Sequence, residues 1–581
     1  MSIPIPSYPF AYGTFQPRTI GQPPYAPITM ARPNPLPPNP LPMFPVLPPS
    51  QDVFQSQSPP PSRLLGLPCK PQLVETQQDR LNALTLNPSL YQRFAQLQIP
   101  EGPVLGVKMF TQISKNMGPT SQQHLHTLLQ QGVLTQQKAD DGHSALYQLY
   151  GILTTPRAPG YDNRAILQET LQVLAKPYSI SQRFAPTTPQ AAQALLGAHH
   201  SSALYGGTLS PAINPQDLHV ENSATCVASS VMYYMADKEP ADLARHINEL
   251  TSPLNAFFEK ARFEEISPDN PADALNLLNS HQISYSLSGP GEVLVKVENP
   301  PTGVVRAITS QGNPGSKNYR NAIGAAYQSA LTYLATHSYN PATDLRDSDV
   351  PGETSKGLTE AEKTLMEAIV KDNGSFQSVT YQAVGSKANP APGEENNSYL
   401  FGYNRPFEKT IQDILQALQM NEPVIIGTTD TDETGAIVAG HEITITGAYT
   451  DPKDSQLKFV VADSDDDVAG PVIKNARELI PTIHHAGLPV ALARQINREI
   501  QTNAGYLVPD QRDQMNFKLL ARETGPMPLE PTETPPVSAP INPFQPIQPA
   551  PFPAQAFNPN YPNPFQQIQG TLPGLRVAPA A

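Results

Sequence analysis

The sequence of 581 residues predicts an α+β fold. Apolar residues recur at helical spacing through much of the chain, alternating apolar and polar runs appear late, and long segments rich in Gly, Asn, Pro and Ser separate them. Helices first and strands second, with long loops between, fit that class better than a regular alternation of the two.

Taken in order, the first element is a proline-rich tail, residues 1–74. Of 67 prolines, 19 fall in residues 1–62 and 16 in residues 526–581, so both ends are expected to be disordered. Proline lacks the amide hydrogen and fixes one backbone angle, which excludes helix interiors and sheet ladders. Within the tails, PLPPNPLP (Pro35 to Pro42) and PFQPIQP (Pro543 to Pro549) have the form of polyproline ligands for a polyproline-binding partner. Neither has a basic flank, and plain spacers are the competing reading.

Residues 75–196 read as a helical region. Leu146, Leu149, Tyr150 and Leu153 share one face, and Leu167, Leu171 and Leu174 repeat the pattern, as do Leu125, Leu128 and Leu129. Pro156, Pro159, Pro177 and Pro186 separate or end these segments. No chemistry is apparent in this region. From residue 197 to 525 the character is mixed. CVASSVMYYMAD, ADLARHINEL, PADALNLLNS, NAIGAAYQSALTYLATHS and TEAEKTLMEAIV are helical in pattern; PVIIG, HEITITGAY and KFVVAD are the strand candidates. Residues 286–360 and 372–405 otherwise read as loops.

A net charge of -13 gives no basic face for a nucleic acid or an anionic membrane. No apolar run approaches the roughly 20 residues that span a bilayer, so no transmembrane segment is expected. MSIPIPSYPF has neither the basic start nor the apolar stretch of a secretory signal, and localisation stays open. DTDETG, Asp430 to Gly435, imitates the start of a calcium loop, but its twelfth position is His441 rather than glutamate. The pairs His124/His126 and His484/His485 lack acidic or thiol companions at ligand spacing in the sequence, and metal ligation is not expected of them.

There are two cysteines. Cys69 lies among tail prolines, whereas Cys226 sits where a helix is expected to begin, behind Ser223 and Thr225 as candidate N-caps. Free amide hydrogens and the helix dipole at such a position favour a negative, reactive sulfur. His441 follows Gly440 at the head of one strand, where a missing side chain permits close approach, and Asp463 closes the next. If the two strands pair as an antiparallel hairpin, imidazole and carboxylate come side by side. Asp465, in the same acidic run, is an alternative to Asp463. Packed cysteine, strand-edge histidine and solvated acidic turn are the ordinary alternatives for each residue alone.

Cys226, Ala228 and Ser230 opening a helix, then PVIIG, then Gly440, His441 and Gly447, then a strand ending in Asp463, resemble the papain-like cysteine peptidase superfamily, most nearly its bacterial leader-peptidase-like branch. The resemblance runs over residues 216–470 and implies a papain-like core, a helical half plus an antiparallel sheet half, with an insertion at about 290–400. It implies that Cys226 attacks a carbonyl carbon, His441 shuttles the proton and Asp463 orients the imidazole. The family's oxyanion-hole glutamine falls at Val220, so that Asn222 and Gln216 are the nearby amides for the role, beside the Cys226 amide. A peptide or protein substrate is implied, with no metal and no other cofactor. Transglutaminase-like acyl transfer by the same triad, or a catalytically inactive adaptor presenting the Pro-rich arms, are the alternatives.

Overall fold

Proline and short capping side chains place the helix starts in the first part of the chain. The helices are α1 (Gln77–Leu81), α2 (Pro88–Leu97), α3 (Pro103–Asn116), α4 (Pro119–Gln131), α5 (Ala145–Thr154), α6 (Asn163–Ala175) and α7 (Pro189–Leu204). Proline opens α2, α3 and α4, where its missing N–H would have had no partner in any case. Ser144 caps α5 by accepting from the Tyr147 amide at 3.2 Å, and Asp162 caps α6 through the Ala165 amide at 2.8 Å. Gly132, at φ 80°, ends α4 in the left-handed conformation.

This computed structural model describes residues 70–135, 138–184, 187–204, 225–267, 270–312, 319–346, 357–371, 376–385, 397–402, 407–466 and 470–502. Both expected tails lie outside these residues, apart from residues 70–74 of the first. Those five are a correction to the boundary at 74. Lys70 pairs with Asp141 at 3.2 Å, and the Pro71 carbonyl accepts from the Tyr147 hydroxyl at 3.1 Å. Hydrogen bonding, which a proline carbonyl can still accept, docks the segment that composition assigned to the tail.

The second part contains α8 (Cys226–Lys238), α9 (Pro240–Leu250), β1 (Ala256–Arg262), α10 (Phe263–Ile266), α11 (Ala274–Ser280), β2 (Tyr285–Gly289), β3 (Glu292–Glu298), α12 (Pro301–Thr309), α13 (Ala322–Ala335), β4 (Tyr339–Asn340), β5 (Leu345–Arg346) and α14 (Glu360–Val370). Then follow β6 (Phe376–Thr380), β7 (Gln382–Gly385), β8 (Tyr399–Gly402), α15 (Phe407–Gln419), β9 (Val424–Thr431), β10 (Ile437–Thr450), β11 (Leu457–Ala462), β12 (Val472–Asn475), α16 (Ala476–Leu479), β13 (Ile483–Pro489) and α17 (Val490–Thr502). The fold is α+β, with antiparallel strand pairing in each sheet.

Strands are not confined to the end of the chain. An antiparallel sheet of order β1-β3-β2 fills residues 256–298, part of which the sequence reading assigned to loop. The reason is visible in β3, where Val293, Val295 and Val297 are fully buried and half-buried Glu292, Leu294, Lys296 and Glu298 alternate with them. Flanking Gly and Pro residues hide a regular period of two.

The main sheet has the order β12-β11-β10-β9-β13-β6. One apolar cluster joins Val424, Ile426, Ile443, Ile445, Phe459 and Val461 to Ile414 of α15 and to Leu492 and Ile496 of α17. A larger cluster contains Ile425 and Ala462 together with residues of α8, α13 and α14 and of the helical region. Alternation along the strands thus sends neighbouring residues into different cores. Helix α8 packs against β10 with Ala228 and Val231 fully buried, which brings the start of a helix toward a strand more than 200 positions later. Leucine at Ala228 would overpack this contact and cost about 1–3 kcal/mol. Among the described residues, no helix is long and apolar enough to cross a membrane.

Candidate active site

Thr225 stands at the N-cap of α8, yet makes no capping bond to the helix. Its hydroxyl donates instead to Gln328 Oε1 of α13 at 2.9 Å, while Gln328 Nε2 donates to the Ser181 carbonyl at 2.9 Å. The start of the helix is therefore anchored to α13 and to the segment after α6, and Thr225 does not occupy its first amides. Cys226 is the first helical residue, buried but at the limit, with 9% of its surface exposed. The expected cap from Thr225 is thus corrected: a buried amide competes for the hydroxyl. Ser223 lies outside the described residues.

HEITITGAY and KFVVAD form adjacent antiparallel strands, with Thr444 opposite Ala462 and Ile445 opposite Val461. His441, near the start of the hairpin-paired run, thereby meets Asp463, just beyond the end of β11. The imidazole Nε2–H donates to Asp463 Oδ1 at 2.7 Å. Cys226 also acts on the ring and strengthens its hold on a proton.

Electrostatics follow from this order of groups. Burial alone would lower His441, but the bond to Asp463, and the bond and charge of Cys226, outweigh it and raise the imidazole to about 10. Burial likewise opposes ionisation of Asp463. The His441 bond and charge, the Asp465 amide at 3.1 Å and the Lys474 ammonium at 3.4 Å hold that carboxyl far below its usual range. An ionised carboxylate and a protonated ring thus stand together, with the Cys226 sulfur acting on the ring.

Asp465 does not share the role offered to it. Its side chain pairs with Arg183 Nε at 2.6 Å, and Arg183 Nη2 also donates to its carbonyl at 2.7 Å. Beside it, the Ser464 hydroxyl donates to Gln182 Oε1 at 2.8 Å, and the Gln182 amide donates to the Ser464 carbonyl at 3.2 Å. The segment Ser181–Arg183 therefore braces both the start of α8, through Gln328, and the loop that carries Asp463. A region without apparent chemistry in the sequence supplies this support. The only signal that would have pointed to it is the run of polar residues Ser181, Gln182 and Arg183 between apolar neighbours.

Gly440 is not a point of close approach. A Cβ there would meet only the Thr428 carbonyl, at 3.9 Å, among the described residues. A crowded glycine in this sheet is Gly427, where a Cβ would collide with His485 Cε1. The reason is position: Gly440 lies opposite Thr429 in a regular ladder, whereas Gly427 lies under an imidazole of β13.

Asn222, Gln216 and Cys69 lie outside the described residues. DTDETG is the turn joining β9 to β10, with Asp432 Oδ1 accepting from the Thr434 amide, the Thr434 hydroxyl and the Ala436 amide. His124 is buried, and burial lowers its affinity for a proton, followed by the charge of Lys176. The His126 ring packs edge-on against Phe110. His484 and His485 do have acidic neighbours, Glu360 and Glu442, contributed by α14 and β10.

A recess of about 220 Å³, counting its open mouth, lies beside Asp463 and is lined by Tyr178, Ser229, Ser230, Tyr233 and Ala462. The arrangement has the parts of nucleophilic thiol chemistry: a sulfur at a helix start, an imidazole to move its proton and a carboxylate to fix the ring. The class defined by fold and site is an α+β protein with a Cys–His–Asp constellation. No family model, no curated protein and no solved structure matches the chain.

Proposed function

We propose that the chain is a thiol hydrolase of papain-like fold, a peptidase acting on peptide or isopeptide bonds. The observation that carries the reading is the His441–Asp463 bond at 2.7 Å, with Cys226, at the start of α8, acting on the same ring. In this reading the Cys226 thiolate attacks the carbonyl carbon and the tetrahedral oxyanion forms. His441 then gives its proton to the leaving amine, and a water activated by the now neutral ring cleaves the thioester. Asp463 keeps the imidazole oriented. The Cys226 amide, with Asn222 or Gln216, is assigned to the oxyanion. The order of chain elements supports the papain-like core: a helix opening on cysteine packs against an antiparallel sheet whose neighbouring strands carry histidine and aspartate.

The test uses a mixed peptide library, incubated with the unsubstituted protein or with Cys226→Ala, in the presence of a labelled primary amine. A peptidase produces new peptide termini that disappear with Cys226→Ala. Label transferred to glutamine side chains would instead identify an acyltransferase. Neither product, at any protein concentration that saturates the library, would leave an adaptor.

A further inference from the structure

Strand β13 breaks its pairing at His484. Against β9 the register passes from Ile483 opposite Thr428 to His485 opposite Gly427, so one residue of β13 is left over. A bulge of this kind re-aims side chains that regular alternation would send to opposite faces. Here the two imidazoles converge, with their Nδ1 atoms 2.8 Å apart. Glu360, the first residue of α14, approaches the same point, and one carboxylate oxygen and one nitrogen from each ring lie within 4.8 Å of one another. We propose that Glu360, His484 and His485 bind a divalent metal ion of the zinc type, at a site separate from Cys226.

Three further observations favour an ion here. His485 Nε2 is buried and makes no well-aligned hydrogen bond, yet lies 2.7 Å from Glu442 Oε1. A carboxylate behind one ring nitrogen, leaving the other to face inward, is the usual support of a metal-bound histidine. Lys363 holds the other oxygen of Glu442 at 3.0 Å, so this supporting carboxylate is fixed in place. Second, Gly427 leaves the space that the His485 ring occupies, and any side chain there would collide with it. Third, three carboxylates, of Glu442, Glu367 and Glu360, act on the ammonium of Lys363.

Two imidazoles and one carboxylate are a zinc donor set with a further position open. Donor atoms around a tetrahedral zinc ion stand about 3.3 Å apart, a spacing that falls between the 2.8 Å of the two Nδ1 atoms and the 4.8 Å that bounds the three groups. The Thr380 hydroxyl, donating to Glu360 Oε1 at 2.8 Å, orients the carboxylate. Glu360 and His484 are half-buried, so an ion can exchange with solvent.

The experiment uses the full chain with Cys226→Ala, which removes a thiol that would itself take zinc. The protein is dialysed against zinc chloride and its bound zinc measured by mass spectrometry. One zinc per chain is expected, bound at least about tenfold more weakly when Glu360→Gln or His484→Gln is added. Both positions are half-buried, so these variants avoid the deeper His485. Cobalt, as a second probe on the Cys226→Ala chain alone, is expected to give visible bands without sulfur-to-metal charge transfer, bleached by zinc. Absence of bound zinc in the Cys226→Ala chain, or equal zinc affinity in both added variants, overturns the proposal.

Discussion

His246 on α9 and His441 on β10 each lie against a carboxylate, Glu259 in the first case and Asp463 in the second. Their proton affinities move in opposite directions. Burial, then the charge of Arg245, drives His246 far below its ordinary value, while His441 rises to about 10. The cause is what else the carboxylate serves. Glu259 also binds Arg245 Nη2 at 2.7 Å, so its charge is already matched, and the His246 ring is stacked on Phe257 in a closed core. Asp463 meets the ammonium of Lys474, at 3.4 Å and partly exposed, and accepts from the Asp465 amide at 3.1 Å, besides binding His441. The same residue pair is a neutral core element in one place and a charged, partly open one in the other. Contact with a carboxylate does not by itself make a histidine cationic; the cations around the pair decide it as well.

Breaking the buried side of this comparison has the largest expected effect. Arg245 bridges Asp242 at 3.0 Å and Glu259 at 2.7 Å, with both acids buried. Arg245→Met strands two carboxylates, and the expected loss of unfolding free energy is about 3–5 kcal/mol in urea titration. A loss below about 1 kcal/mol would show that the network relaxes and that Arg245 is not what keeps His246 neutral.

The pH dependence of His441 sharpens the other side. Its folded value exceeds the unfolded one of 6.5, so the stabilisation is complete below that pH and is lost as pH rises toward about 10. Asp463 has the opposite sign: its contribution is present above the ordinary carboxylate value of 3.8 and is lost as pH falls through its lower folded value. Ring-carbon NMR shifts are expected to report a protonated His441 and a neutral His246 at neutral pH. Between pH 6.5 and about 10, His441→Gln is expected to remove a fall in stability on the order of 2 kcal/mol. Equal slopes for both proteins would contradict the assigned charge.

Several elements were legible in the sequence because local pattern and local structure agree. Cys226 begins a stretch without Gly or Pro, and the alternation in HEITITGAY and KFVVAD is that of half-buried paired strands. Their hairpin follows from adjacency in the chain, and with it the meeting of His441 and Asp463. What was not legible depends on distant partners. Gln182, Arg183 and Gln328 reach the site from other elements, and no local period marks them. Glu442 meets His485 across Gly427, and Glu360 comes from α14, neither of which adjacency in sequence reveals. Strand β3 was obscured by composition, since neighbouring Gly and Pro residues outweighed seven alternating positions.

The central proposal is that His441 activates the sulfur of Cys226. Its most direct measurement is iodoacetamide labelling of Cys226 against pH, resolved from Cys69 by peptide mass spectrometry, in the unsubstituted chain and in His441→Ala. The account predicts that near pH 6 Cys226 labels at least about tenfold faster in the unsubstituted chain than in His441→Ala, while Cys69 labels equally in both. Superimposable Cys226 profiles in the two proteins would contradict it.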